Sequence, residues 1–273
     1  MMTGEPLRIP ARVGTMGWGY ADWSGVFYPA SAPSRDYITL YARVFDTVEI
    51  DSTFYATPRE TQVKHWAQVT PPGFVFCPKA PRLITHDLRL IRAAEPMAEF
   101  VRVMGLLGPK RGPMLLQFPP DFTHAELDAL QAFLPTLREL GDPTARFAVE
   151  FRHRSLLVPE VSALLTAQNI ALAAADYAPM PKRLEPTADF AYLRLIGRHG
   201  AFPFHDTLQA DRAADLQRWA DALRENQDHF SAAYIFCNND YEGYGPATCN
   251  RFKRLLGLPT TERPPEPQGS LFE

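Results

Sequence analysis

Short apolar runs alternate with amphipathic stretches along this chain. Eight runs stand out, at 12–16, 47–50, 74–77, 114–118, 147–151, 170–175, 190–196 and 233–237. Each has the length of a β-strand. The sixth is apolar throughout, as a strand covered on both faces should be. Helical spacing lies between most of them. Tyr37, Leu40, Tyr41 and Val44 follow Pro33-Ser34; a helix is predicted over 59–69 behind Pro58; and Met97, Phe100, Val101 and Met104 mark another. Thr123 and Glu126 have capping-box spacing ahead of Leu127, Leu130, Phe133, Leu134 and Leu137. Two more helices are predicted over 210–230 and 246–256. The segment 81–90 reads as a long loop. Strands that alternate with helices in this way predict one eight-stranded (β/α) TIM barrel over residues 1–258.

In such a barrel the C-terminal strand ends build the active site. Here the runs stop near Gly17, Glu49, Lys79, Gln117, Glu150, Asp176, Arg194 and Asn238. The opposite strand ends carry turn formers instead, such as Gly73, Gly112 and Asp189. The asymmetry puts the chemistry at one mouth.

The composition fits a single large core, with 273 residues of which 46% are hydrophobic. A net charge of -3 argues against a generally basic nucleic-acid binder, while leaving room for a local basic patch. Cys77, Cys237 and Cys249 form no CxxC pair, which points to core packing and a reducing cytoplasm. The first residues lack the apolar core of a signal peptide, and no run approaches the roughly 20 apolar residues of a membrane span. From Pro259 the sequence turns proline-rich and charged, so residues 259–273 are expected to be a disordered tail.

The candidate chemistry at the mouth has several parts. Glu49 and Glu150 are paired carboxylates suited to sharing proton transfer. With Asp176 and a histidine they could also hold a divalent metal, although no metal-binding motif with close spacing is present. The plain structural alternative for Glu49 is an ion pair with Lys79 on the adjacent strand. Lys79, Arg152 and Arg194 are cations that could clamp a phosphate or carboxylate; a desolvated Lys79 could instead act as nucleophile or base. Arg152 lies two residues beyond Glu150, so an extended chain points both the same way, as a carboxylate beside a guanidinium at a site or as a buried salt bridge closing the barrel end. His153 faces away unless the loop turns, and its imidazole is then a candidate for substrate binding and proton transfer near neutral pH. Gln117 and Asn238 are amides able to orient a ligand, or to satisfy a neighbour or a turn. Trp18 and Tyr20 in the first loop could stack on a ring or cap the barrel. His86 could enter the mouth from the third loop, or lie on the surface. No nucleotide-cofactor glycine motif occurs.

Several stretches are specific enough to carry a family resemblance. They are GTMGWGYADWSGVFYP from Gly14, FDTVEIDSTFY from Phe45, PKAPRLITHDLRL from Pro78, LLQFPPDF from Leu115, AVEFRHRS from Ala148, YLRLIGR from Tyr192 and YIFCNND from Tyr234. The chain thereby resembles the YecE-like proteins, known as domain of unknown function 72. The resemblance spans nearly the whole barrel and implies a TIM-barrel fold; it implies no reaction. Asp51 stands where the family usually has Asn, and Ile196 where it often has His, so no scheme can use a histidine at that position here.

Gln268, Leu271 and Phe272 near the C-terminus resemble the short peptide by which bacterial proteins dock on the DNA-polymerase sliding clamp. Gly269 departs from that pattern. The leading expectation is an enzyme acting on a phosphate-bearing substrate, nucleic acid included, by acid–base hydrolysis or lyase chemistry. The alternatives are a carbohydrate-active hydrolase or isomerase using the same carboxylates, and a non-catalytic clamp-associated binding protein.

Overall fold

The computed structural model describes residues 6–140 and 142–264. Among these, the strands are β1 (Ala11–Thr15), β2 (Thr47–Ile50), β3 (Val75–Pro78), β4 (Met114–Gln117), β5 (Phe147–Glu150), β6 (Ala171–Leu172), β7 (Ala174–Asp176), β8 (Phe190–Leu195) and β9 (Ala232–Cys237). The helices are α1 (Tyr37–Tyr41), α2 (Glu60–Val69), α3 (Ala94–Met104), α4 (Leu127–Phe133), α5 (Pro159–Gln168), α6 (Ala213–Asn226), α7 (Asn239–Glu242) and α8 (Gly245–Leu255).

Parallel pairing runs β1-β9-β8-β7, β2-β3 and β4-β5-β6. Single bridges complete the ring. Met16 meets Glu49 between β1 and β2, and Lys79 meets Leu115 between β3 and β4. The expected sixth strand arrives in two pieces, β6 on β5 and β7 on β8. The break has a local cause: the Leu172 amide donates to Thr187 Oγ1 at 2.7 Å, and that hydroxyl donates to Ile170 O at 2.8 Å. A side chain thus takes the bond that the β8 backbone would have supplied. The result is a closed TIM barrel.

Alternation along the strands sorts side chains into two cores. Val48, Ile50, Leu116, Val149, Leu193 and Ile235 face outward and are buried in the layer that includes the helices. Val75, Cys77, Leu115, Ala148, Ala171, Ala173, Ala175, Phe190, Tyr192 and Phe236 fill the lumen. Small residues on β5, β6 and β7 leave room for the large rings on β8 and β9, which is how a barrel interior packs without voids. Gly14 lets β1 and β2 approach closely, since a Cβ there would lie 2.1 Å from Thr47 O. Tyr41 on α1 clips the same two strands, accepting from the Thr15 amide at 2.8 Å and donating to Thr47 O at 3.1 Å.

Most predicted helices appear within a few residues of their expected ends. Thr123 and Glu126 form the expected capping box, here at the head of a short 3-10 turn that leads into α4. The loop expected over 81–90 contains a π-helical turn at Leu83–Asp87. Residues 259–264 run along the barrel without regular structure. Asn250 Nδ2 donates to Thr261 O at 2.9 Å, Arg254 pairs with Glu262, and Pro264 is buried. No helix among the described residues is long and apolar enough to cross a membrane.

Candidate active site

The lumen turns polar toward its C-terminal end. On β8, Tyr192 and Arg194 point inward one above the other. Glu49 does so on β2, and Glu150 on β5. Arg194 spans the lumen between these walls. Its Nη2 donates to Glu49 Oε1 at 2.7 Å and its Nε to Glu49 Oε2 at 3.0 Å, while Nη1 donates to Glu150 Oε2 at 2.6 Å. Tyr192 OH adds a 2.7 Å bond to Glu49 Oε2. All four side chains are buried, Arg194 at 3% exposure and both glutamates at 0%. Buried charges persist only when paired and hydrogen-bonded, and this brace meets both conditions.

One guanidinium shared by two carboxylates cannot neutralise both. Glu150 has further cations: Arg152 Nε donates to its Oε1, and Lys79 adds its field. Burial pushes the Glu150 carboxyl up, but Arg194, Arg152 and Lys79 together outweigh it and hold its pKa below the usual range. Glu49 is hydrogen-bonded to one cation, Arg194, and to the Tyr192 hydroxyl, and Asp51 repels it. Burial therefore dominates there and raises its pKa. Two carboxylates with pKa values pushed apart are the usual arrangement for one proton donor and one permanent anion.

Lys79 does not pair with Glu49. Strand register explains why: Glu49 aligns with Cys77, which places Lys79 one pleat higher, level with Asp51. Lys79 Nζ lies 3.8 Å from Asp51 Oδ1 and 4.1 Å above the centre of the Phe54 ring. Asp51 Oδ1 is also 3.8 Å from Arg194, and it is buried without a hydrogen bond. Arg152 lies over Tyr177, its guanidinium carbon 4.1 Å from the ring centre. Beyond its bond to Glu150, Arg152 makes no hydrogen bond among the described residues, so its terminal nitrogens are unclaimed.

The remaining candidates divide. Tyr20 lies near the acidic groups: burial, with the fields of Asp51, Glu49 and Asp240, pushes its hydroxyl pKa up. Its OH donates to Met16 O. His86, in the π-helical turn, packs edge-on to Phe54 with ring centres 5.0 Å apart. Burial, then Lys79 and Arg82, lower its pKa. Gln117 donates to Phe118 O at 2.6 Å. Asn238 caps α7, accepting from the Asp240 amide at 2.9 Å, while its Nδ2 lies 3.6 Å from Met16 Sδ. Trp18 turns to the outer layer, 5.5 Å from Trp66 centre to centre. His153 is exposed and caps the next short turn through a 3.3 Å bond from the Ser155 amide.

Asp176 is the clearest departure from expectation. Ala175 faces the lumen, so Asp176 faces out, where it accepts from Trp219 Nε1 at 2.9 Å and Tyr241 OH at 2.8 Å and pairs with Lys182 at 2.8 Å. It ties β7 to α6 and α7 from behind the strand layer. Arg194 departs too, since its donors are spent on Glu49 and Glu150 rather than free for a ligand. Among the described residues, no group of three or more His, Cys, Asp or Glu is arranged to hold a metal ion. Gln268, Leu271 and Phe272 lie outside the described residues.

Phe54 and Tyr177 carry no signal in the sequence that separates them from core aromatics. Tyr192 sits one pleat below Arg194, and inward parity was the available clue. Asp51 was visible as a departure from the family pattern.

A family model described as protein of unknown function DUF72 matches residues 12–271. The chain belongs to this family. UPF0759 protein YecE of Escherichia coli K12 is 38% identical over 113 residues, which cover 41% of this chain and 40% of that protein. UPF0759 protein YunF of Bacillus subtilis is 30% identical over 154 residues, covering 54% of this chain and 52% of YunF. The matched stretches thus span about half or less of these curated relatives. A solved DUF72 family protein from Thermotoga maritima superposes with a TM-score of 0.75 at 29% identity, covering 91% of this chain and 99% of that one. D-psicose 3-epimerase from Clostridium cellulolyticum superposes at 0.52 with 10% identity, a likeness of fold alone.

Proposed function

We propose that the barrel mouth is an active site for a small anionic substrate bearing a phosphate or carboxylate, with lyase or hydrolase chemistry. The observation that carries this reading is the Arg152 guanidinium, whose terminal nitrogens are unclaimed among the described residues and which is held over Tyr177 by its bond to Glu150. A flat, permanently charged fork with free N–H groups suits a planar or tetrahedral oxyanion. Below it, Glu49 carries the transferable proton, because burial makes its protonated form accessible. Glu150 stays anionic and orients Arg152. Arg194 is the positioning residue that fixes both carboxylates. Tyr20 lies in the field of Asp51 and Glu49, and His86 in that of Lys79.

The test is a turnover screen of phosphorylated and carboxylated metabolites, beside their neutral counterparts. Activity confined to anionic substrates, reduced about 100-fold or more by Glu49→Gln with folding intact, is the expected result. Full activity in that variant would sink the assignment.

A link to DNA is a separate proposal resting on Gln268, Leu271 and Phe272. It expects binding to a bacterial sliding clamp that the double change Leu271→Ala/Phe272→Ala abolishes. Equal binding by that variant would remove the reason for invoking nucleic acid.

A further inference from the structure

We infer that Lys79 is an imine-forming lysine, which takes the carbonyl carbon of an aldehyde or ketone whose anionic group is held by Arg152. The inference rests on the anion-site reading above and narrows its substrate to anionic carbonyl compounds.

The geometry around Nζ is the ground. Lys79 is 9% exposed at the mouth, and its Nζ makes no hydrogen bond among the described residues. Its nearest carboxylate oxygen is at 3.8 Å, beyond hydrogen-bond reach, and its close neighbour is the face of Phe54 at 4.1 Å. An ammonium carries three N–H donors, and leaving them unbonded out of water is costly. The other lysines are placed differently. Lys64 bonds Glu60 at 3.2 Å, and Lys182 bonds Asp215 at 3.0 Å and pairs with Asp176 at 2.8 Å. Lys110 donates to the carbonyls of Ala67 and Thr70, and Lys253 lies at the opposite end of the barrel, over Phe45. Burial lowers the pKa of Lys110 as well, but its ammonium is held by those acceptors; Lys79 alone joins a buried setting that favours the neutral, nucleophilic amine to an Nζ without a hydrogen bond among the described residues. Burial, helped by Arg194, lowers its pKa against the opposing pull of Asp51.

The step balances with residues already present. The Nζ lone pair attacks the carbonyl carbon, and the C=O π pair moves to oxygen, which takes a proton. A second proton reaches that oxygen, the C–O bond breaks, and water leaves. The nitrogen keeps one hydrogen in a cationic iminium. In sum, the neutral amine, the carbonyl and one added proton give the iminium and water, the other proton on the departing oxygen having come from Nζ. Glu49 and Asp51 are the groups placed to relay the protons.

Pyridoxal 5′-phosphate serves as a probe: an aldehyde with a phosphate. The full chain would be incubated with it, reduced with borohydride, and the labelled peptides mapped by mass. Lys79 should label about tenfold or more faster than the exposed Lys64, with Asp51→Asn moving the pH midpoint of labelling lower. Lys64 labelling ahead of an unmodified Lys79 would overturn the inference, and so would an unmoved midpoint in Asp51→Asn. The wild-type comparison needs no variant to fold. Inorganic phosphate separates the two readings: it should slow Lys79 labelling in wild type and have no such effect in Arg152→Met. Labelling of Lys79 that phosphate leaves untouched would keep the lysine and overturn the anion site.

Discussion

Arg194 reaches both Glu49 and Glu150 through bonds of 2.6 to 3.2 Å, and each carboxylate then differs by what else it touches. Removing the arginine would leave two buried acids facing one another. Arg194→Met should cost about 3–5 kcal/mol, read as a lower midpoint in urea unfolding; a loss within experimental error would mean that the brace does not hold the lumen together. The pH dependence has two opposing parts. The folded state lowers the Glu150 pKa, so its contribution is full above the ordinary carboxylate range and is lost as pH falls through the depressed value. The folded state raises the Glu49 pKa, so its contribution is present below the ordinary range and is lost as pH rises through the raised value. Glu150→Gln should therefore flatten the fall in stability toward acid, and Glu49→Gln should remove a decline toward neutral pH. Urea midpoints at about pH 3, 5 and 7 would show both; equal slopes in the two variants would contradict the assigned directions.

At the level of elements, strand parity decides which residues share the mouth. Glu49, Glu150 and Arg194 were legible as mouth residues because each stands at or near the end of an apolar run, but their partners, and the bonds that occupy Arg194, were not. The Lys79–Asp51 relation depends on the stagger between β2 and β3, and the Arg194 bridge depends on closing the ring; neither is a property of local sequence. Asp176 shows the opposite failure. An all-apolar strand hides its parity, and only the small side chains of Ala171, Ala173 and Ala175 mark the lumen face. Since Asp176 joins β7 to Trp219 and Tyr241, Asp176→Asn should weaken the fold by about 1–3 kcal/mol while leaving the rate of Lys79 labelling unchanged. A stable variant with altered labelling would place Asp176 in the chemistry after all.

For the molecule as a whole, the polar groups concentrate at one end of the lumen, where the buried brace of Arg194, Glu49 and Glu150 belongs to the packing as well as to the proposed site. The lower lumen and outer layer are apolar and closely packed, while Arg152, Lys79 and Asp51 at the upper rim each keep hydrogen-bonding capacity that no neighbour among the described residues takes up. Family membership extends the fold to relatives from several bacteria without naming a reaction, because barrels support many chemistries on one frame. An anion site requires that this rim bind an oxyanion through Arg152. The direct measurement is the phosphorus NMR linewidth of inorganic phosphate titrated with the protein at low ionic strength. Broadening by the wild-type chain that disappears in Arg152→Met is the predicted result. No broadening, or equal broadening in both proteins, would contradict an anion site at the barrel mouth.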